Sequence, residues 1–267
     1  MKKIVILTGS ETRHVYFRKK LSNDSRFRVV GSICEGSEHS LKARIFQKDN
    51  KSFYEINHVL SREQSELDFF EEAINNMDDH SNPIYINKGD VNTIEVVDRV
   101  KELNPDLIIC YGSSIIKSDL IIEYDKKFLN VHLGISPYYR GSGTNVWPII
   151  NNDLDLIGAT FMHLDSGIDS GEIIHQIRAD IFLGDSPHTI GNRLIKKMSH
   201  VYADIIANFG NLSTEVQPSA SGILYKNKDF DEKACESIYQ NIKSGIIENY
   251  LKKDQDFRYI VKNKGLD

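Results

Sequence analysis

The chain has 267 residues, of which 40% are hydrophobic and 27% are charged, and its formal net charge is −5. This length suits one large domain, or one domain with a small appendage, and the acidic balance argues against an extended nucleic-acid-binding surface. No run of about 18 apolar residues is present, so we expect neither a membrane span nor a membrane partner. Three cysteines far apart in the sequence, Cys34, Cys110 and Cys235, fit the reduced thiols of a cytoplasmic protein.

Strands and helices alternate through the first 111 residues. We predict strands at residues 3–8, 28–34, 84–86 and 106–111, a helix at 11–21 and another from Ser61 to Met77. A third helix is capped by Asn92 or Thr93 and ends before the Asn-Pro pair at residues 104–105. Residues 35–60 are polar and are predicted to be loop with some helix. The alternation predicts a Rossmann-like, doubly wound α/β fold, with a mostly parallel sheet and helices on both faces. The turn after the first strand lacks the second and third glycines of the dinucleotide-binding fingerprint, which argues against an NAD-binding protein.

The stretch 128–174 carries the candidate chemistry. Asn130 and His132 are two residues apart on a predicted strand, so their side chains point to the same side, and Asp169 follows in the run DSGIDSG. A strand that ends in a glycine-rich loop is where open α/β sheets bind their ligands. An amide, an imidazole and a carboxylate brought together there could polarise a carbonyl group and move a proton. The alternative is a buried strand whose polar groups bond neighbouring backbone, with Asp169 in a surface turn.

The second half of the chain contains predicted strands at residues 159–164 and 171–181 and an amphipathic helix at 188–209. Residues 210–221 have the composition of a turn and predict a boundary between a main domain, 1–210, and a small C-terminal α/β appendage, 211–267. Within the appendage we predict one arm of a small β-element at 222–230. Short helices and a polar, frayed end are expected over 231–267.

Three segments, NVHLGISPYYRG, GAT at residues 158–160 and HLDSGIDSGEII, resemble the core of the formyltetrahydrofolate-dependent formyltransferase family. The family pattern is an Asn-x-His on a strand, a Pro-x-x-Arg-Gly turn and an Asp in a Gly-x-Asp-x-Gly loop, and all three occur here in that order. The resemblance implies the formyltransferase fold and the transfer of a formyl group from 10-formyltetrahydrofolate to a primary amine, without a metal. It also implies that Asn130, His132 and Asp169 are the catalytic residues.

The same resemblance, together with position in the chain, suggests binding residues in the loops around this motif. In the family, the loop after the neighbouring strand helps to hold the folate. We therefore expect the folate to contact Ser114, Ile115, Ile116, Asp165 and Gly141, and the acceptor to contact Arg140 and Tyr139. Two of these residues have alternative roles, because Asp165 could shape its own loop and Arg140 could stabilise its turn.

Two other chemistries fit the spacing poorly. The separations of His132, His163 and His175 match no compact zinc site. Asp165 and Asp169 lie on one short loop, whereas the carboxylates of a glycosidase flank a cleft.

The charge of the C-terminal part and the length of the chain bear on the acceptor. Residues 231–267 carry seven Lys and Arg against seven Asp and Glu, so this part offers no basic surface for a tRNA. Chain length and tail resemble the amino-sugar nucleotide N-formyltransferases of bacterial surface-glycan biosynthesis, including the pseudaminic-acid type. We therefore expect an amino-sugar nucleotide as acceptor and a homodimer, with residues 211–267 binding the substrate or forming the dimer contact. The alternatives are a methionyl-tRNA formyltransferase, a formyltetrahydrofolate hydrolase and a non-catalytic folate- or nucleotide-binding module.

Overall fold

The computed structural model describes residues 1–117, 120–218, 222–253 and 257–266. Its strands are β1 (Lys2–Gly9), β2 (Phe27–Glu35), β3 (Pro83–Ile86), β4 (Leu107–Tyr111), β5 (Phe128–His132), β6 (Tyr139–Gly141), β7 (Gly158–His163), β8 (Ile173–Arg178) and β9 (Ile223–Tyr225). Its α-helices are α1 (Thr12–Ser22), α2 (Leu41–Phe46), α3 (Phe53–Asn75), α4 (Ile94–Leu103), α5 (Leu120–Glu123), α6 (Trp147–Ile150), α7 (Pro187–Asn208), α8 (Glu232–Lys243) and α9 (Ile246–Lys252). Within these ranges, no helix is both long enough and apolar enough to cross a membrane.

Seven strands form one sheet in the order β3-β2-β1-β4-β5-β7-β8. The strands from β3 to β5 pair in parallel, and β7 and β8 extend the sheet with antiparallel pairs. The prediction of a mostly parallel α/β sheet is therefore confirmed. The chain runs from β1 outward to β3 and returns to β4 on the other side of β1, so the strand order reverses between β1 and β4. Ligands of such sheets bind at the carboxyl ends of the strands near this reversal.

The core lies on both faces of the sheet. One buried cluster packs the sheet against α1, α3 and α7, and a second packs it against α4 and α5. In β5, Leu129 and Val131 belong to the first cluster and Phe128 belongs to the second. Because side chains alternate along a strand, Asn130 and His132 lie on the face of Phe128, at the carboxyl end of β5.

The helix predicted to begin at Ser61 begins earlier, at Phe53, and residues 35–60 also contain α2. The added turns of α3 bury the polar side chains of Glu55 and His58 beside the apolar Val59. Glu55 is paired with Lys48 at 2.6 Å, which allows its carboxylate to be buried. Polar side chains at buried positions weaken the apolar periodicity by which an amphipathic helix is detected in a sequence, and the predicted start was wrong.

The region after residue 210 packs on the main sheet and on α6. Strand β9 pairs in parallel with β6, and Ile238, Ile246 and Ile247 of α8 and α9 share a buried cluster with α6. The end that was predicted to fray is held along β8 over residues 257–266, where the Val261 N–H donates to Oε1 of Gln176 at 2.9 Å. That prediction was wrong because a side-chain amide on β8 supplies the partner for this backbone. The division into domains at residue 210 stays a prediction.

Two buried histidines join α3, α7 and α8. The Tyr239 hydroxyl of α8 lies 3.2 Å from Nδ1 of His58 and 3.3 Å from Nε2 of His188. Burial, His188 and Arg62 lower the pKa of His58 to about 3. Burial and Arg62 lower the pKa of His188 to about 4, against an opposing effect of Glu66. Both rings are therefore neutral in the folded protein near pH 7.

We predict that these histidines make the protein less stable in mild acid. A histidine whose folded-state pKa lies below its usual value takes up protons on unfolding, so its stabilising effect is complete above about pH 6.5 and declines as the pH falls toward the folded-state pKa. Between about pH 6.5 and pH 4 we expect the free energy of unfolding, measured with urea, to fall by about 1 kcal/mol per histidine per pH unit.

The double variant His58→Gln/His188→Gln should lose the share of this dependence that the two rings contribute, about 2 kcal/mol per pH unit, because glutamine does not titrate. His200→Gln, at an exposed position of α7, is the matched control and should keep the wild-type dependence. A double variant that loses stability in acid as steeply as the wild type would contradict the assignment.

Candidate active site

The carboxylate of Asp169 lies against the imidazole of His132 at the carboxyl end of β5. Oδ2 of Asp169 is 3.2 Å from Nδ1 of His132, and the backbone oxygen of Tyr139 is 3.0 Å from Nε2. Only 7% of the His132 side chain and 13% of the Asp169 side chain are exposed, so water reaches the pair poorly. Each ring nitrogen faces an acceptor, and a neutral imidazole can donate to only one of them. The arrangement therefore suits a step in which His132 holds an additional proton beside a carboxylate.

Asn130 precedes His132 on the same face of β5. It pairs in register with Cys110 of β4 and Met162 of β7, and its side chain is half-buried. Among the residues that the structure describes, the Asn130 amide makes no hydrogen bond. The alternative was that both polar side chains of β5 bond to neighbouring backbone. The His132 ring does contact a backbone oxygen, but the Asn130 amide does not. The Asn130 amide is available as a hydrogen-bond donor to a ligand oxygen.

The loop that carries Asp169 joins β7 to β8 and is held from several sides. Asp169 has a φ of +51°, in the left-handed region, which aspartate adopts more readily than most residues. Its Oδ2 also accepts a hydrogen bond from the Gly141 N–H at 2.8 Å. Nε2 of Gln217 donates to the backbone oxygens of Asp169 and Gly171, at 3.0 and 2.8 Å. A Cβ at Gly171 would lie 1.9 Å from the backbone oxygen of His163, so only glycine fits there.

Two residues predicted to contact the folate have structural roles in this loop. Oδ1 of the exposed Asp165 accepts hydrogen bonds from the Gly167 N–H and the Ser170 hydroxyl, both at 3.0 Å, so Asp165 does shape its loop. Gly141 uses its N–H to hold Asp169. For both residues, a contact with folate stays a prediction.

The loop after β4 is held by buried and half-buried polar side chains from elsewhere in the sheet. The Ser114 N–H donates to the carboxylate of Glu35, which is fully buried at the end of β2. Nδ2 of Asn92 donates to the backbone oxygen of Ile115 at 3.0 Å. The Ile115 side chain is 56% exposed, whereas that of Ile116 lies in the core and is 5% exposed. The loop thus presents Ile115 at the ligand-binding edge, and a contact of all three residues with folate stays a prediction.

The two residues predicted to contact the acceptor lie in different environments. The Tyr139 ring is 3% exposed, its hydroxyl donates to Oδ2 of Asp153 at 2.6 Å, and it accepts from Nδ2 of Asn151 at 3.0 Å. Burial and the bond to Asp153 raise the pKa of Tyr139. Its phenol is therefore part of the core, and its contribution beside His132 is a backbone oxygen. Arg140 is half-buried, and its Nε has no partner among the described residues.

A further polar cluster lies where the strand order reverses, between the ends of β1 and β4. The His14 ring occupies space left by two glycines, because a Cβ at Gly9 or Gly112 would come within 2.4 or 2.3 Å of a ring nitrogen. Burial has the largest effect on His14 and lowers its pKa well below its usual range. The nearby cations of Arg13, Arg62 and Lys88 lower this pKa further. Nη1 of Arg13 donates to Oε1 of Glu66 at 2.7 Å. This part of the edge thus contains a neutral histidine and an arginine paired with a carboxylate.

The zinc hypothesis finds no support. Nδ1 of the fully buried His175 accepts a hydrogen bond from the Asn263 N–H at 2.9 Å. In the part of the chain that the structure describes, no group of three or more His, Cys, Asp or Glu side chains is placed to hold a metal ion.

Three polar residues that hold the site were missed in the sequence. The Thr160 hydroxyl donates to the Gly134 oxygen at 2.6 Å and accepts from the Ser136 N–H at 2.9 Å. Nε2 of Gln176 donates to the Ser136 oxygen at 2.6 Å. Thr160 and Gln176 interrupt apolar strands, and this interruption was a detectable signal. Gln217, the third, lies in a stretch of turn composition that carries no such signal.

The sequence matches a known protein family over most of its length. The formyl transferase family model matches residues 2–206. A methionyl-tRNA formyltransferase from Ehrlichia ruminantium is 29% identical over 150 residues, which are 56% of this chain and 48% of the relative. The chain spans about half the length, or less, of the curated relatives it matches.

Solved structures show the same fold. An N-formyltransferase from Helicobacter canadensis, in complex with folinic acid and dTDP-3-aminofucose, has a TM-score of 0.57 and 18% identity and covers 94% of this chain and 82% of its own. The formyltransferase PseJ from Anoxybacillus kamchatkensis, in complex with a UDP-sugar and tetrahydrofolate, has a TM-score of 0.50 and 20% identity and covers 88% of this chain and 97% of its own. Because the family model matches well over half of the 267 residues, the chain belongs to the formyl transferase family.

Proposed function

We propose that this protein is an N-formyltransferase that moves the formyl group of 10-formyltetrahydrofolate to the primary amine of an amino-sugar nucleotide. The observation that carries the proposal is the 3.2 Å contact between His132 and Asp169, with the unbonded amide of Asn130 on the same strand face. Acyl transfer to an amine needs a donor for the developing oxyanion and a group that holds the released proton. These are the groups that the three side chains offer.

The surroundings of this edge fit a ligand with flat, partly apolar rings. Ile115, on the loop after β4, and Ile168, on the loop before β8, expose 56% and 42% of their surface. Exposed apolar side chains next to a few convergent polar groups are typical of a small-molecule site. Bound there, 10-formyltetrahydrofolate would supply the activated formyl group. The other residues that we propose to contact it are Ser114, Ile116, Asp165 and Gly141.

The proposed reaction is a displacement at the formyl carbon. The amine nitrogen forms a bond to this carbon, the bond from the carbon to the folate nitrogen breaks, and the proton lost by the amine ends on the folate nitrogen. The Asn130 amide stabilises the negative charge that develops on the formyl oxygen. His132 holds the proton in transit, and the Asp169 carboxylate stabilises its imidazolium form.

The nucleotide-sugar acceptor is supported by the solved structures, by the charge of residues 231–267 and by Arg140. The Helicobacter and Anoxybacillus formyltransferases, which cover most of this chain, were solved with nucleotide sugars bound. Residues 231–267 have no excess of basic residues for a tRNA. The unpartnered Nε of Arg140 favours an anionic group such as a nucleotide phosphate, so Arg140 and the neighbouring Tyr139 backbone are the proposed acceptor contacts.

A second candidate function is that of a methionyl-tRNA formyltransferase, because the curated relatives carry that name.

The proposal of a sugar N-formyltransferase includes a cytoplasmic location, which is supported by three free and buried cysteines. It also includes a homodimer formed through residues 211–267.

The first experiment identifies the acceptor. Folate release from 10-formyltetrahydrofolate is followed by absorbance with a panel of amino-sugar nucleotides, and each sugar with its amine acetylated is the matched control. We expect turnover with one free amine and none with its acetylated form, because the reaction needs the amine lone pair. Turnover without any acceptor would indicate a hydrolase, and turnover with methionyl-tRNA alone would refute the sugar assignment.

The second experiment tests the oxyanion donor. One such donor is worth roughly 3–4 kcal/mol in the transition state, so we expect Asn130→Ala to lower kcat by about two to three orders of magnitude. The matched control is Asn76→Ala, at an exposed position where α3 ends, and it should stay within about twofold of the wild type. A loss smaller than tenfold in Asn130→Ala would remove this residue from the role.

A further inference from the structure

Residues 213–217 run along the start of β8 and reach the loop that carries Asp169. The Ile173 N–H donates to the Glu215 oxygen, and the Glu215 N–H donates to the Ile173 oxygen, both at 2.8 Å. Glu215 and Val216 are exposed, but Gln217 is half-buried. The segment therefore lies on the surface and directs a single amide side chain inward.

The Gln217 amide bonds to both ends of one turn. Its Nε2 donates to the backbone oxygens of Asp169 at 3.0 Å and of Gly171 at 2.8 Å. These two peptide units lie on either side of Ser170 and Gly171, so one NH₂ group fixes the direction of the chain before and after them. The loop itself is irregular. Without the Gln217 side chain, these two carbonyl groups would lack a hydrogen-bond donor.

The turn needs such a restraint because Asp169 has a left-handed backbone conformation, with a φ of +51°. A non-glycine residue in this conformation is held by its surroundings rather than by its own preference. Relaxation of φ at this position would rotate the side chain away from Nδ1 of His132 and from the Gly141 N–H, which lie 3.2 and 2.8 Å from Oδ2.

We propose that Gln217 is a positioning residue that sets the Asp169 carboxylate against His132. It acts through two backbone carbonyl groups and does not itself meet the reacting atoms. The positioning is a property of the fold, whereas its effect on catalysis depends on the proposed function. The two can therefore be tested separately.

The positioning is tested by hydrogen exchange at the Gly141 amide, which donates to Asp169 and so reports on the carboxylate without any substrate. Gln217→Met keeps the length of the side chain but removes both donors. We expect about tenfold faster exchange at Gly141, which is the size of effect expected when two hydrogen bonds that hold its acceptor are lost.

The matched control is Asn241→Leu. Like Nε2 of Gln217, the side-chain amide Nδ2 of Asn241 donates to two backbone oxygens, those of Ile149 and Ile150, at 2.9 and 3.1 Å. This variant should leave exchange at Gly141 unchanged. Equal exchange at Gly141 in Gln217→Met and in the wild type would overturn the proposal. Gln217→Glu, which keeps the shape and replaces the NH₂ by an oxygen, serves if the methionine variant does not fold.

The catalytic consequence is tested by a double-mutant cycle. We expect Gln217→Met to lower kcat by about tenfold with both KM values within about twofold of the wild type. In the Asp169→Asn background the same change should have less than about twofold effect, because Gln217 acts through the carboxylate. Equal losses in both backgrounds would mean general destabilisation and would refute the proposal. If Gly141 exchange responds as expected but the wild type formylates no amine, the proposed function fails and the positioning role stands.

Discussion

The contact between the Asp169 carboxylate and the His132 imidazole is the interaction to which the rest of the site is fitted. It joins the end of β5 to the loop between β7 and β8. The relative position of these two segments must therefore be held to within about 0.5 Å. The imidazole is fixed by the backbone oxygen of Tyr139 and by close packing against Gly134, where a Cβ would come within 2.5 Å of Nε2. The carboxylate is fixed by the Gly141 N–H. Because water reaches the pair poorly, its electrostatic interaction is stronger than it would be at the surface.

The loops around this contact are held by side chains that bond to backbone. Loops lack the partners that helices and strands give to their backbone groups, and every buried N–H and C=O needs one. Here the partners come from fully buried polar residues, Glu35 for the loop after β4 and Thr160 for the loop after β5, and from Gln217 for the loop before β8. The burial of Glu35 and Thr160 is therefore explained by the loops that they hold at the carboxyl edge of the sheet.

The sequence predicted what depends on periodicity and missed what depends on tertiary contacts. The apolar strands and the shared face of Asn130 and His132 follow from the two-residue repeat of a strand, and the structure agrees with both. The start of α3 was missed because Glu55 and His58 are polar side chains at buried positions and weaken the apolar repeat there. Tyr139 was assigned by its place in a motif, but the direction of its ring is set by packing. Gln217 could not be found, because nothing in its neighbouring residues reflects an amide that bonds a loop 46 to 48 residues away.

The small sheet of β6 and β9 connects the C-terminal region to the pair formed by His132 and Asp169. The family match ends at residue 206, whereas β9 lies beyond it and pairs Tyr225 with Gly141. A Cβ at Gly141 would lie 2.1 Å from the Tyr225 backbone oxygen, and the glycine has a φ of +89°, so this contact requires glycine. The N–H of the same Gly141 bonds the carboxylate of Asp169. A shift of β9 would therefore move Gly141 and, through it, Asp169. If residues 211–267 form the homodimer contact, as proposed, dimer formation and the orientation of the Asp169 carboxylate are coupled through a single glycine.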